Sequence, residues 1–440
     1  MINSNKINIT AVNTLFHPDK GGATVVCKNL YENLSDRFKI SFFNGRIDDQ
    51  NSYLHSVYYR ADRIKGLAVN IYNLFPPNIS SWIDGTMESN YYNPSINPVF
   101  ADFIKDQQPS IIHFHSLQWL GAQLIILAKE SGAKTVLTMH DWWWICPRQF
   151  LVKKDGSLCN YLDLPESCTC IDEEFFLKRS KFLQKCLYHV DTIIVPSQTL
   201  KKSLVDSGQI KQPIVVIENG IIFPGNAKSH RNERHKPIVF SYLGTDSWLK
   251  GSQLLVEAAK LIENKKFQLK MHGFPVSSDI VRKSMVLLAK KALLHPLKAT
   301  RKVFTILQSK ISRKSIPSQI TFHRIFETHE LDTILADTDV VIIPSIQRES
   351  YSLVARESLI RKIPVITSDC GGPQELIQNG INGLIFPTGD TEALADCMKR
   401  IISETNLLDD LRHGIQNIKI PLISDQVAET EFLYFKLLNE

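Results

Sequence analysis

Apolar, β-branched runs of strand length recur along this chain in two series, with segments of helical periodicity between them. The first series comprises Lys6–Val12, Ser110–Ser116, Lys134–Asp141, Thr192–Ser197 and Ile214–Asn219. The second comprises Ile238–Gly244, Phe267–Gly273, Asp339–Ser345 and Ile363–Asp369. A run that is apolar without alternation suits a strand covered by helices on both faces, so each series predicts a parallel sheet of βαβ units. Between the series lies Pro224–Lys236, a polar stretch with Pro, Gly and six basic or histidine residues that reads as a linker. With 440 residues, 43% of them hydrophobic, the chain can bury the core of two such domains. The expected fold is α/β: two Rossmann-like, doubly wound domains facing a central cleft, with the site built from loops at the carboxyl ends of the strands.

Only 22% of residues are charged, which excludes wholesale disorder. The opening MINSNKINITAVNTLF has no basic region followed by an apolar core, and no run reaches the ~18–20 apolar residues of a membrane span. A cytoplasmic, non-spanning protein is expected.

Glycine and polar residues gather in the loops after the predicted strands. Gly21 and Gly22 precede ATVVCKNLYENL, an amphipathic helix pattern. Glycines there let a backbone approach a ligand and leave N–H groups at a helix start, although a plain glycine turn looks the same. The stretch RESYSLVARES (Arg348–Ser358) carries Glu349 and Glu357 across a predicted strand-to-helix turn. The backbone N–H groups of Tyr351, Ser352 and Leu353, at the positive end of a helix dipole, suit a phosphate. Glu349 would then face a reacting sugar, and Glu357, about two turns on, ribose hydroxyls. On spacing alone, a solvated helix start with two surface glutamates is the simpler reading.

The wider pattern resembles the retaining nucleotide-sugar glycosyltransferases of family 4, which have the GT-B fold. Pro344–Phe386 is similar to their signature: a Pro-Ser strand end, two glutamates with seven residues between them, an apolar strand, then Gly371-Gly372 and Glu375. Gly21-Gly22 looks like the family's N-terminal glycine loop, TMHD supplies His140, IVPS Ser197, VIENGI Asn219-Gly220, and Leu243–Gly251 resembles its phosphate-binding strand end. Ser424–Leu438 looks like the C-terminal helix that crosses back onto the N-terminal domain. The resemblance thus implies an acceptor-side domain, 1–223 with helix 424–438, and a nucleotide-sugar domain, 224–423.

It also implies roles. Lys250 would contact the donor diphosphate, helped by Gly21, Gly22 and the turn Ser350–Leu353; Glu357 would bind ribose; Asn219 would line the donor site; Glu349 and His140 would lie at the transferred sugar. Together with Lys250, these last two form the expected catalytic set. No catalytic metal or other cofactor is implied beyond the nucleotide-sugar co-substrate, and no Asp-x-Asp clamp stands at a suitable strand end. One departure is Thr245, where the family usually has arginine; a hydroxyl does not supply a guanidinium's charge, and Arg348, one residue before Glu349, is the candidate substitute, although an ordinary surface arginine reads the same. Another is Ser352, where glycine is common. The expected activity is sugar transfer to a glycan or lipid-linked acceptor in cell-surface polysaccharide or glycolipid synthesis. A non-catalytic GT-B partner or regulator, and a GT-B sugar epimerase, remain alternatives.

Two further segments stand out. Cys146, Cys159, Cys168 and Cys170 fall within 25 residues, and in a reducing compartment such a cluster suggests a structural Zn²⁺; its only close pair is C-x-C, so unliganded packing or a thiol role is the alternative and the simpler reading. Phe274–Ser318 holds ten Lys/Arg residues against Asp279 alone, with apolar residues at helical spacing on both sides of Pro296. Such basic amphipathic helices suit an anionic membrane surface, so a peripheral location on the cytoplasmic membrane is expected; a packed helical pair with a solvated basic face is the alternative. Nucleic acid is not an expected partner.

Overall fold

The computed structural model describes residues 6–14, 21–34, 37–44, 59–64, 67–72, 87–166, 168–223, 237–262, 266–274 and 317–440. The expected linker Pro224–Lys236 and nearly all of the basic insertion, residues 275–316, lie outside them. Two compact units emerge: Met1–Phe223 with Gln347–Leu353 and Lys419–Glu440, and Pro224–Ile346 with Val354–Ile418.

In the first unit, strands β1 (Ile7–Asn13), β2 (Phe38–Asn44), β3 (Tyr59–Ile64), β4 (Leu67–Tyr72), β5 (Ile111–Ser116), β6 (Lys134–Thr138), β7 (Thr192–Val195) and β8 (Ile214–Val216) form one sheet. Their order is β3-β4-β2-β1-β5-β6-β7-β8. Pairing is parallel except for the antiparallel β3–β4 edge, a departure from the all-parallel expectation. Helices α1 (Gly22–Leu34), α2 (Asn97–Gln107), α3 (Leu124–Glu130), α4 (Glu173–Leu187) and α5 (Gln198–Asp206) cover it.

Alternate residues of one strand feed two cores, as the two-residue period of a strand requires. Ile112, Phe114 and Leu137 pack with Phe43, Phe100, Phe103 and the three tryptophans Trp142, Trp143 and Trp144. Ile111 and Val136 pack on the other side with Tyr31, Phe38, and Tyr434 and Leu437 of the C-terminal helix Ile423–Asn439. Burying each such side chain contributes about 1.5–3 kcal/mol.

Among the described residues, the second unit has six strands, β9 (Ile238–Leu243), β10 (Phe267–His272), β11 (Ile320–His323), β12 (Val340–Ile343), β13 (Val365–Ser368) and β14 (Gly383–Phe386), in the order β11-β10-β9-β12-β13-β14. Every pair is parallel. Its helices are α6 (Ser252–Lys260), α7 (Leu331–Ala336), α8 (Leu353–Ile360), α9 (Thr391–Ser403) and α10 (Leu407–Gly414). Both sheets reverse their strand order, between β1 and β5 in one and between β9 and β12 in the other. In open α/β sheets, ligands bind at the carboxyl ends of the strands beside such a reversal.

Candidate active site

The carboxyl end of the first sheet carries a hydrogen-bonded polar floor. Thr14, after β1, donates to the Gln118 carbonyl (2.8 Å) and receives the Ser116 hydroxyl (3.2 Å). Gln118 donates to Gln149 Oε1 (3.1 Å), and Gln149 donates to Asp141 Oδ2 (2.5 Å). Asp141 also accepts the Trp143 N–H (2.7 Å). Burial pushes its carboxyl up to about 6 against both bonds. Asp141, Gln118 and Gln149 were not among the expected site residues. The rule that strand ends carry chemistry would have singled out Asp141, the next residue after His140.

His140 closes this floor. Its Nε2 lies 3.0 Å from His115 Nδ1, and burial holds its pKa down at about 4, so the ring is neutral near pH 7. The tryptophans that follow form rigid backing. All three are buried; Trp142 Nε1 donates to Ser203 Oγ (2.7 Å) and Trp143 Nε1 to Asn90 Oδ1 (2.9 Å).

The turn Gln347–Leu353 belongs to this first unit, whereas the sequence reading kept it with the second half. Side-chain bonds explain the difference. Ser350 Oγ donates to the His140 carbonyl (2.6 Å), and Tyr351 OH donates to the Asn219 carbonyl (2.6 Å). Ser197 Oγ accepts the Leu200 N–H at the start of α5 (3.0 Å) while donating to the Ser350 carbonyl (2.5 Å). Four positions singled out separately, His140, Ser197, Asn219 and the Ser350–Tyr351 pair, are therefore one bonded cluster, with Glu349 in the same short segment. Ser352 has φ 63°, in the left-handed region that favours glycine, so the sequence departure there sits on a backbone under strain. Arg348 lies over the Tyr161 ring, 5.4 Å from its centroid. Gly21 gives its carbonyl to the Val25 N–H (3.0 Å), and a Cβ built on Gly22 would meet nothing within 4 Å, so the start of α1 is uncrowded among the described residues.

In the second unit, Lys250 ends a 3-10 turn, Trp248–Lys250, directly before α6. This turn is tied to the loop after β12: Ile346 N–H donates to the Leu249 carbonyl (2.9 Å), and a Cβ on Gly251 would fall 1.8 Å from the Pro344 carbonyl oxygen. Ser368, ending β13, donates to the Ser345 carbonyl (2.6 Å). Thr245, beyond β9, is exposed, and its carbonyl accepts the Tyr242 hydroxyl (2.7 Å). Glu357, on α8, is partly buried. Desolvation raises its carboxyl to about 7, with Arg361 pulling it down and Asp332 pushing it up. Arg361 is itself committed to Asp332 (Nε to Oδ1, 2.7 Å). A carboxylate kept in so unfavourable a place is a common mark of a binding or catalytic group. Buried Arg356, on the same helix, lies 4.0 Å from Glu375.

Because Glu357 holds its proton in the folded state between about 4.5 and 7, where the unfolded chain has lost it, it contributes stability at low pH that fades as pH rises through this window. Glu357→Gln is expected to match the parent at pH 5 and to exceed it by about 1–2 kcal/mol at pH 8, after discounting for partial exposure. Urea unfolding of both proteins at the two pH values checks this. A constant difference would show that the carboxyl is not perturbed.

Two family models match successive parts of the chain: Glycosyltransferase Family 4 over residues 20–222 and Glycosyl transferases group 1 over residues 226–417. The chain belongs to glycosyltransferase family 4. This family 4 glycosyltransferase has the GT-B fold of its structural neighbours. They include a sucrose-phosphate synthase from Thermosynechococcus elongatus (TM-score 0.65, 17% identity, 99% of this chain and 100% of that one). Anabaena HepE in complex with UDP-glucose is another (TM-score 0.63, 14% identity, 98% and 100%). Among curated relatives, the capsular polysaccharide biosynthesis glycosyltransferase CapM of Staphylococcus aureus is 22% identical over 56% of this chain and 62% of its own length. The chain spans only 11% of a probable sucrose-phosphate synthase of Craterostigma plantagineum, 26% identical where they match.

The structural zinc expected at Cys146, Cys159, Cys168 and Cys170 is not supported in this glycosyltransferase. None of the four forms a disulfide, and among the described residues no group of three or more His, Cys, Asp or Glu side chains is placed to hold a metal ion. Cys146 and Cys159 pack into the apolar core instead. Cys168 and Cys170 engage each other, and the Cys170 hydrogen bond draws the Cys168 thiol down. The loop is stiffened by backbone pairing: Val152 bridges Leu158, and Cys159 N–H donates to the Leu151 carbonyl (2.8 Å).

Proposed function

We propose that this glycosyltransferase moves a sugar, with retention of anomeric configuration, from a nucleotide-diphosphate sugar to a glycan or lipid-linked acceptor in cell-surface polysaccharide or glycolipid synthesis. The observation that carries the donor half is the reversal of strand order between β9 and β12, with Lys250 in the loop after one strand and Glu357 on the helix after the other. Departure of a nucleoside diphosphate builds negative charge on the pyrophosphate; the ammonium of Lys250, carried on the turn before α6, stabilises it, and the Glu357 carboxylate accepts the ribose hydroxyls. Gly21, Gly22 and the Ser350–Leu353 turn supply backbone N–H groups to the phosphates. Glu349 and neutral His140 attend the transferred sugar, and Asn219 lines the donor site. UDP-glucose in the HepE complex and the capsular role in CapM's name support the donor class and the pathway.

Incubation with UDP-, GDP- and ADP-sugars, with and without lipid extract, tests this reading. Nucleoside diphosphate release from one donor, strongly raised by the extract, is expected. Release of a free altered sugar without acceptor would point to an epimerase, and no release from any donor to a non-catalytic partner.

The peripheral membrane location belongs to the same reading and rests on sequence. Phe274–Ser318 carries a net charge of +9, ten Lys/Arg against one Asp, while the whole chain is +6. Basic residues near an anionic surface contribute about 1 kcal/mol each, so binding to anionic vesicles and its loss at high salt are expected. Co-sedimentation of the intact protein and of one lacking Ser277–Ser315 is the check. Equal binding by both, or none by either at low salt, would assign the segment another purpose.

A further inference from the structure

A chain of hydrogen bonds inside the first unit leads to His140. Thr138 Oγ1 lies 2.7 Å from His113 Nε2, and His113 Nδ1 lies 2.6 Å from Tyr434 OH. Tyr434 OH is 3.4 Å from Tyr31 OH, Tyr31 OH is 2.9 Å from His115 Nε2, and His115 Nδ1 is 3.0 Å from His140 Nε2. The imidazoles stack, with centroids 4.2 Å apart for His113 and His115 and 5.3 Å for His115 and His140. All of these side chains are buried except that of His140, which is partly so. Burial lowers the pKa of all three histidines and raises that of both tyrosines, so every group is neutral near pH 7.

Neutrality makes the protons countable. A neutral imidazole has one N–H and one bare nitrogen, so fixing one of its bonds fixes the other. The Tyr–Tyr link is the weak one: a hydroxyl bond is ordinarily about 2.7–2.8 Å, and at 3.4 Å it competes poorly for a phenol proton with the 2.6 and 2.9 Å bonds to the histidines. Each phenol therefore donates to its own histidine, which agrees with the phenol being the better acid and the imidazole nitrogen the better base. On one side, Tyr434 donates to His113 Nδ1, and His113 Nε2–H to Thr138. On the other, Tyr31 donates to His115 Nε2, His115 Nδ1–H donates to His140 Nε2, and the proton of His140 is left on Nδ1.

We infer that Tyr31 and His115 are positioning residues that lock His140 as the neutral Nδ1–H tautomer, so that this ring offers its ligand a hydrogen-bond donor and no base. The lock deepens the sugar-site reading given above, in which the ligand atom is a hydroxyl or ring oxygen of the transferred sugar, and it rests on that reading only for the ligand's identity. A donor-only imidazole favours an oxygen with free lone pairs and disfavours the proton abstraction that a bare Nδ1 would permit.

Long-range ¹H–¹⁵N correlation spectra of the full chain, labelled at histidine and recorded near pH 7.5 without ligand, read the tautomer directly, with His140→Gln identifying the signals. A pyrrole-type Nδ1 and a pyridine-type Nε2 are expected for His140, against the preference of free histidine for Nε2–H. In Tyr31→Phe the locking donor is gone, and at least half of the population is expected to move to Nε2–H. A wild-type His140 protonated on Nε2 would overturn the lock, even if the variant fails to fold. So would a variant that loses stability while the tautomer stays put, since that is the result of a merely structural role. Kinetics keep the two readings apart. A tautomer that shifts in Tyr31→Phe while kcat and KM for the donor do not would uphold the lock and remove His140 from the sugar site.

Discussion

Replacing Lys250 by alanine is expected to lower kcat/KM for sugar transfer about 100-fold, or ~2.7 kcal/mol of transition-state stabilisation. The argument begins with Thr245. A guanidinium after β9 would share the charge of the leaving diphosphate, and the hydroxyl in its place does not, so the ammonium of Lys250 bears more of that work. The backbone beneath it is held on two sides, by the Ile346–Leu249 bond and by the Gly251–Pro344 contact, so the lysine's stem starts from a fixed point. Most of the loss should appear in kcat, because the charge it meets grows as the bond breaks. Thr245→Arg is the complementary change and should restore part of the activity of Lys250→Ala. A Lys250→Ala enzyme with parental kcat/KM would remove this residue from the donor site.

Gly273→Ala and Gly251→Ala are each expected to destabilise the second unit by at least about 3 kcal/mol, a fall of roughly 6–12 °C in its melting temperature. Both glycines have positive φ, 99° and 73°. That conformation alone costs a side chain about 1 kcal/mol, but the larger part is steric. A Cβ at Gly273 would sit 1.7 Å from the Gly244 carbonyl oxygen, and one at Gly251 1.8 Å from that of Pro344. Both obstacles are backbone at strand ends, which does not move aside as a flexible side chain would. Gly389→Ala is the control: its φ is 83°, yet nothing lies within 4 Å of the added atom, so about 1 kcal/mol should be lost there. Equal losses at the three positions, read by thermal unfolding, would mean that the strand ends are not packed so closely.

Much of this was legible in the sequence because strands buried on both faces must be written as continuous apolar runs. Each of the nine expected runs holds a strand, from INITAVN in β1 to VITS in β13. Those missed carry weaker signals. β2, FKISFFN, interrupts its apolar residues with an exposed lysine, and β14 is the four-residue GLIF, short enough to read as a turn. At the site, the predicted strand-to-helix turn pointed to Glu357 and the family resemblance to His140 and Lys250, but neither showed how Ser197, Asn219 and His140 come together. Their union depends on Ser350 and Tyr351, some 130–210 positions away along the chain. Of the two readings of the cysteine cluster, zinc lost to packing for a related reason. Spacing shows that four thiols are near in sequence, whereas burial decides where each one points, and Cys146 and Cys159 point into the core. The histidine chain was invisible for the same cause, since Tyr31, His113, His115 and Tyr434 lie on three elements far apart in sequence, α1, β5 and the C-terminal helix, and none stands in a motif.

Retention is the claim on which the chemistry of Glu349, His140 and Lys250 depends, and product stereochemistry tests it most directly. Transfer from an α-linked nucleotide sugar to acceptor in lipid extract, followed by proton NMR of the newly formed linkage, reports the anomeric configuration before any later equilibration. The expected product is α-linked, with the small coupling between H1 and H2 of a gluco-configured donor preserved. A β-linked product, formed with release of the same nucleoside diphosphate, would contradict the account.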